Sequence, residues 1–308
     1  MKYINLIMLL CANLLLAGCN SYPSTATQFS SASLKSESKI TSIDMKVETA
    51  RIQSLVENKD SNVKIANSNY IQTIPTNLET KEYNWYFKTQ GKGKTPLFPM
   101  ENNFYKKDTN CIYLGDTSKK YIYLTFDEGY ENGYTSTVLD ILKRHNIKAA
   151  FFVVKPYITS NPELIKRMVA EGHLVCNHSA RHPSMAAITD KQKFNKELLD
   201  VAASYENLTK QKMPKFFRPP MGKYSQLSLK YTSEYGYKTV FWSFAYMDWE
   251  PNHQPSKEYA KDKILSRVHN GAIILLHTVS KTNAEILDDI INELKNQGFE
   301  FMTLDDIK

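Results

Sequence analysis

The sequence predicts an α/β fold in which parallel strands alternate with helices packed outside them. Three observations carry that expectation. From Tyr121 onward, short apolar runs alternate with stretches of helical periodicity, the signature of a parallel sheet covered by helices. Proline and glycine punctuate the helical stretches, with Pro162 at a start and Gly271 and Gly298 just past two ends. Ionisable residues follow directly on the apolar runs, and in a parallel sheet closed toward a barrel those positions share one rim.

Taken in order, strands are predicted at 121–126, 149–154, 173–177, 215–218, 238–244, 272–277 and 299–303, and helices at 134–145, 162–171, 189–210, 225–235, 256–269 and 283–297. The first strand is an unbroken β-branched, aromatic and aliphatic run, Tyr121 to Phe126, and the second repeats the pattern at Ala149 to Val154. Upstream the organisation differs. Met1 and Lys2 lead an apolar run, Ile4 to Leu16, too short to span a bilayer comfortably but suited to a signal-peptide core. It closes with Leu16-Ala17-Gly18-Cys19, which is similar to a bacterial lipobox. Residues 1–18 are therefore read as a lipoprotein signal peptide, with an ordinary secretory signal as the alternative. Cys19 is the expected lipidation site, which predicts an extracytoplasmic protein anchored to the cell membrane. Residues 19–80 are rich in Ser, Thr, Asn and Lys and read as a flexible polar linker, with a short amphipathic helix possible between Ile43 and Val56. The domain is bounded at 81–308, and the aromatic segment Tyr83 to Phe87 is expected to clothe its edge.

The chain of 308 residues is 42% hydrophobic and 12% aromatic, enough for a sizeable core, and its formal charge is +7. That charge suits an anionic neighbourhood such as an acidic wall or membrane surface. The lysines are scattered and form no basic stripe, which argues against nucleic acid as a partner. Cys11 leaves with the signal, so only Cys111 and Cys176 accompany Cys19 in the mature chain. This is neither a disulfide scaffold nor a cysteine-type zinc site, and whether Cys111 and Cys176 pair is open.

Five predicted strand ends carry chemistry: Asp127 and Glu128; Asn177, His178 and His182; Arg218; Asp248 with Trp249; and His277. Adjacent carboxylates raise each other's pKa, so the first pair invites a division of labour. His178 and His182 are spaced to share one side of a helical turn. With one acid they would form a two-histidine, one-carboxylate metal site with open positions.

Thr125-Phe126-Asp127-Glu128-Gly129, His178 to His182, Arg218-Pro219-Pro220-Met221-Gly222, Asp248-Trp249 and Leu275-Leu276-His277 resemble, in order, the five motifs of the polysaccharide deacetylases, the NodB-homology enzymes of carbohydrate esterase family 4. The resemblance covers roughly residues 85–308. The segments Gly129 to Tyr134, Thr239 to Ser243 and Leu276 to Ser280 resemble the sporulation branch that makes muramic δ-lactam. The resemblance implies a distorted, incomplete (β/α) barrel of about seven parallel strands. It implies Asp127 as general base, Arg218 as its partner, His277 as general acid and Asp248 as the residue that keeps His277 charged. Glu128, His178 and His182 would hold one divalent metal, zinc first, with manganese, cobalt or magnesium as alternatives. The Met221 backbone N–H would face the oxyanion, and Pro219, Pro220, Met221, Trp249 and Leu275 would bind substrate. The implied substrate is N-acetylmuramic acid in a peptidoglycan strand stripped of its stem by an N-acetylmuramoyl-L-alanine amidase, in a spore or forespore envelope. Alternatives are a deacetylase of N-acetylglucosamine, chitin-type glycans or O-acetyl xylan, or a glycan-binding lipoprotein without catalysis. Two departures stand out. Glu128 replaces the family's second aspartate, carrying its carboxylate about 1.5 Å further out. Met221 stands where many relatives carry Tyr or Arg.

Overall fold

The computed structural model describes residues 78–107 and 110–307, all within one compact unit, Gln72–Lys308. The signal peptide, Cys19, nearly all of the linker and the possible helix at 43–56 lie outside the described residues. Among the described residues no helix is long and apolar enough to cross a membrane.

The main sheet contains β2 (Cys111–Ile112), β3 (Tyr121–Glu128), β4 (Ala150–Val153), β5 (Leu174–Asn177), β6 (Phe216–Phe217), β8 (Lys238–Val240), β9 (Ala272–Leu276) and β10 (Glu300–Met302). Its order is β10-β3-β4-β5-β6-β8-β2, with β9 also on β3, and every pairing is parallel. The sheet curls. A parallel bridge between Phe244 and Ile274 joins the segment after β8 to β9, so the strands form an incomplete barrel with helices outside it, as the sequence predicts. Two short strands stand apart: β1 (Tyr83–Asn84) pairs antiparallel with β7 (Lys223–Tyr224).

β3 lies between β4 and β9 in the sheet, and its sequence suits burial on both faces. Ile122 to Glu128 are all buried, and Phe126 stacks on Phe151 at 5.0 Å between centroids. Each such fully buried side chain contributes roughly 1.5–3 kcal/mol of transfer free energy. The covering helices follow the predicted order. They include α2 (Thr135–Arg144), α4 (Pro162–Ala170), α5 (Lys191–Thr209), α6 (Gln226–Glu234), α7 (Lys257–Arg267) and α8 (Lys281–Asn296). Asp190 caps α5 by accepting from the Lys193 N–H. Ser280 caps α8 by accepting from the Asn283 N–H, which starts that helix two residues before the predicted 283.

Three differences from the predicted elements matter. β3 runs through Glu128 rather than ending at 126, because its ladder with β4 continues through Asp127↔Phe152 and Glu128↔Val153. β8 ends at Val240 rather than 244, and the chain then turns into the loop that carries Asp248. The helices α1 (Phe104–Lys107) and α3 (Lys155–Ser160), with the two-residue strands β1, β2 and β7, were not predicted. Cys111 and Cys176, on β2 and β5, are not joined to each other.

Candidate active site

The C-terminal ends of the strands surround a cavity of about 710 Å³, lined by Asp127, His178, His182 and His277 and by apolar side chains including Tyr130, Met221, Trp242, Met247, Trp249 and Leu275. Asp127 comes from the penultimate position of β3. Arg218, the residue after β6, is fully buried. Its Nη1 donates to Asp127 Oδ1 at 2.7 Å and its Nη2 to Thr125 Oγ1 at 2.9 Å, while Nε reaches the Val240 carbonyl at 3.2 Å and the guanidinium lies over the Phe152 ring. Burial alone would raise the Asp127 pKa, but the Arg218 charge overrides it and holds the carboxyl below its ordinary value.

On the opposite acid–base pair, His277 Nδ1 lies 2.7 Å from Asp248 Oδ1. The carboxylate can only accept, so Nδ1 carries the proton and Nε2 is left for the cavity. The other oxygen, Asp248 Oδ2, accepts from the His277 backbone N–H at 2.9 Å and from Asn283 Nδ2 at 2.6 Å. Tyr246 donates to Asn283 Oδ1, the side-chain amide oxygen. Burial would lower the His277 pKa, yet the charge of Asp248 and this hydrogen bond raise it above its ordinary value.

His178 and His182 stand with ring centroids 4.9 Å apart, but not on a helical turn. The segment after β5 is a loop in which Ser179 and His182 adopt left-handed backbone conformations, at φ 67° and 59°. Asn177 accepts from the Ser179 N–H. Glu197 on α5, almost fully buried, accepts from the N–H groups of Ala180 and Arg181 at 3.0 Å each. His178 Nδ1 donates to the Arg218 carbonyl at 2.8 Å, leaving Nε2 facing Asp127 Oδ2 at 3.5 Å. Burial drives the His178 pKa down to about 4 and lowers that of His182. Both are therefore neutral near pH 7, the form that ligates metals, and the Nδ1 anchor of His178 is the usual outer support of a ligating imidazole.

Glu128 does not join them. Successive side chains on a strand point to opposite faces, and β3 continues through both acids, so Asp127 enters the cavity and Glu128 leaves it. Glu128 is fully buried. Its Oε2 accepts from Thr278 Oγ1 at 2.5 Å, and its Oε1 has no hydrogen-bond partner among the described residues. Burial raises its pKa well above the ordinary range, against the Thr278 hydrogen bond. Among the described residues no group of three His, Cys, Asp or Glu side chains is disposed to hold a metal ion. The imidazole pair fits a divalent ion; the predicted carboxylate ligand does not.

Met221, Trp249 and Leu275, three of the expected substrate contacts, line the cavity. Pro219 and Pro220 do not: both are buried and lie outside its lining, where they set the turn that presents Met221 in a left-handed conformation at φ 58°. The sequence reading missed Glu197, Thr278 and Asn283, and it missed Tyr130 and Met247 on the cavity rim. Tyr130 and Thr278 lie within the segments at Gly129 to Tyr134 and Leu276 to Ser280 singled out above, though without a role, and Glu197 left a local trace of its own. It sits on the apolar stripe of its helix with Phe194, Leu198 and Val201, where a solvated glutamate has no place.

Comparison with known proteins places this geometry in context. The family described as "Polysaccharide deacetylase" matches residues 114–240. The chain is 45% identical over 230 residues to the Bacillus subtilis protein named peptidoglycan-N-acetylmuramic acid deacetylase PdaA, covering 73% of this chain and 85% of that one. It is 48% identical over 223 residues to an uncharacterised Geobacillus stearothermophilus protein, covering 72% and 84%. The solved structure of B. subtilis PdaA, described as a family 4 carbohydrate esterase, superposes with a TM-score of 0.71 at 44% identity, over 74% of this chain and 97% of that one.

Proposed function

The chain belongs to the polysaccharide deacetylase family, carbohydrate esterase family 4, and from that membership we propose that it hydrolyses the N-acetyl group of N-acetylmuramic acid in peptidoglycan. The observation that carries the reading is the meeting of two opposed acid–base pairs at one cavity: Asp127 held ionised by Arg218, and His277 held protonated by Asp248. Hydrolysis of an amide needs both forms at once, a base for the water and an acid for the departing nitrogen.

Asp127 accepts a proton from water as the water oxygen adds to the acetamide carbonyl carbon. The oxyanion that forms accepts a hydrogen bond from the Met221 backbone N–H. His277 gives its proton to the amine nitrogen as the C–N bond breaks, releasing acetate and a free amino sugar. His178 and His182 would hold a divalent first-row ion, zinc in our reading, which when bound supplies Lewis acidity toward the acetamide oxygen. The apolar rim, with Trp249 and Met221 about half exposed, suits the faces of sugar rings.

The similarity to PdaA supports muramic acid as the sugar, in a strand already stripped of its stem by an amidase. The freed amine can then close on the lactyl carboxyl, with loss of water, as a δ-lactam of spore cortex. The Leu16 to Cys19 motif supports a lipid-anchored, extracytoplasmic location. The test is to incubate the purified protein, with zinc supplied, with stem-free glycan. Acetate release with loss of one acetyl per muramic residue by mass spectrometry is expected. Loss of acetyl from glucosamine alone would reassign the sugar, and no release would defeat the reading.

A further inference from the structure

Glu128 is a fully buried carboxylate beside this rim that the mechanism does not use. Its surroundings are specific. Thr278, which donates to Glu128 Oε2 at 2.5 Å, lies 2.7 Å from Thr135 through their hydroxyl oxygens. The Thr135 hydroxyl has one proton to give, to Thr278 or to Glu131 beside it, and Glu131 also accepts from the Tyr157 hydroxyl at 3.1 Å and from the Gly133 N–H at 2.6 Å. Asn132 Nδ2 donates to the Val279 carbonyl at 2.9 Å. Thus the Gly129–Thr135 segment and the His277–Ser280 segment, both prominent in the sequence, are sewn together behind the cavity by a chain of hydroxyls and carboxylates. Glu128 begins that chain, and Thr278 is the residue next to His277.

We propose that Glu128 is a positioning residue, which acts through Thr278 to fix the loop that carries His277, and that it does not ligate metal. Strand alternation at β3 sends it away from His178 and His182, and its one hydrogen-bonded oxygen is committed to Thr278. Fixing Thr278 orients His277 from one side, while Asp248 and Asn283 fix it from the other. An acid–base group held between two such contacts keeps its imidazole within the narrow angular range that proton transfer needs. The inference rests on the proposed acid role of His277, but not on the identity of the sugar.

The experiment compares Glu128→Leu, Glu128→Gln, Thr278→Val and Thr278→Ser in the otherwise intact protein. Zinc and cobalt affinities are measured by titration, kcat and KM by acetate release, and the His277 titration by NMR of labelled imidazole. Glu128→Leu and Thr278→Val are expected to lower kcat by ~10–100-fold, the usual cost of losing an outer-shell support, with KM little changed. Metal affinity should stay within about 3-fold of the unmodified protein, against the far larger loss that removal of a true ligand brings. The His277 pKa should fall in both variants, because a loosened loop weakens the contact with Asp248 that raises it. Glu128→Gln and Thr278→Ser, which keep the acceptor and the hydroxyl, should lose less than Glu128→Leu and Thr278→Val, and the double variant Glu128→Leu/Thr278→Val should cost little more than either single one. A collapse of zinc affinity in Glu128→Gln with Thr278→Val unaffected would overturn the proposal and restore Glu128 as a ligand. An unmoved His277 titration in all four variants would also overturn it. If the unmodified protein releases no acetate, the proposed function fails, while the metal and NMR measurements still decide the role of Glu128.

Discussion

Asp127→Asn removes the base but leaves an amide oxygen able to accept from Arg218, so the buried guanidinium keeps its partner. It should therefore cost about 10²–10⁴-fold in kcat, measured by acetate release, with the circular dichroism spectrum unchanged. Asp248→Asn acts on the acid. In the folded protein the His277 pKa is raised because Asp248 outweighs burial, so activity should fall as pH climbs through that raised value. Without the Asp248 charge, burial is unopposed and the alkaline limb of the kcat profile should move to lower pH. Linkage has the same sign. A folded-state pKa above the unfolded value of about 6.5 means that the pair's stabilisation is complete below that pH and fades as pH rises through the folded value. Urea midpoints of the unmodified protein and Asp248→Asn should therefore differ most below neutrality and converge at alkaline pH. The residues of both pairs were legible in the sequence because each follows an apolar run. The orientation of Glu128 was not legible, because it depends on whether β3 stops at Phe126 or runs two residues further, and that is decided by the ladder with β4 rather than by local composition.

At the scale of elements, the aromatic segment Tyr83 to Phe87 does more than clothe an edge. β1 pairs with β7, directly after the Arg218 to Gly222 turn. The Trp85 N–H donates to the Gly222 carbonyl, and its indole Nε1 donates to the Trp242 carbonyl, each at 2.8 Å. The indole stacks on Phe241 at 4.2 Å. Glu82 bridges the two site loops, paired with Lys223 at 2.7 Å and accepting from Ser184, two residues past His182. Gly222 is required where these parts meet. At φ 64°, a Cβ there would come within 2.7 Å of the Trp242 ring and 3.1 Å of Trp85 Cβ. Trp85→Ala should cost ~3–5 kcal/mol in urea unfolding and raise KM, because the turn carrying Met221 loses its backing. A variant destabilised by that amount with KM unchanged would show the turn to be self-supporting. None of this was readable from periodicity. Two-residue strands carry no pattern, and their pairing joins residues far apart in the chain.

For the whole molecule, the alternation of apolar and helical stretches was enough to give the strand order along the chain, the outer helices and the shared rim. It could not give the curl that brings Phe244 against Ile274, which closes the cavity wall beside His277. The proposed anchor belongs to this scale too. Cys19→Ser should move the protein from the detergent phase to the aqueous phase in a Triton X-114 partition of expressing cells, without changing the specific activity of the purified domain.

The cavity wall has a consequence for how the enzyme meets a polymer. Among the described residues, none of its lining side chains is a lysine or arginine, whereas the chain as a whole carries a formal charge of +7. We expect attraction to an anionic wall on the outer surface, where it is screened beyond about 8 Å at physiological ionic strength, while the apolar rim meets sugar faces through dispersion contacts that salt does not screen. Raising sodium chloride to ~0.5 M should release the soluble domain from isolated sacculi, while kcat/KM for a short soluble oligosaccharide stays nearly constant. Adhesion to the wall and selection of the sugar would then be separable by ionic strength alone.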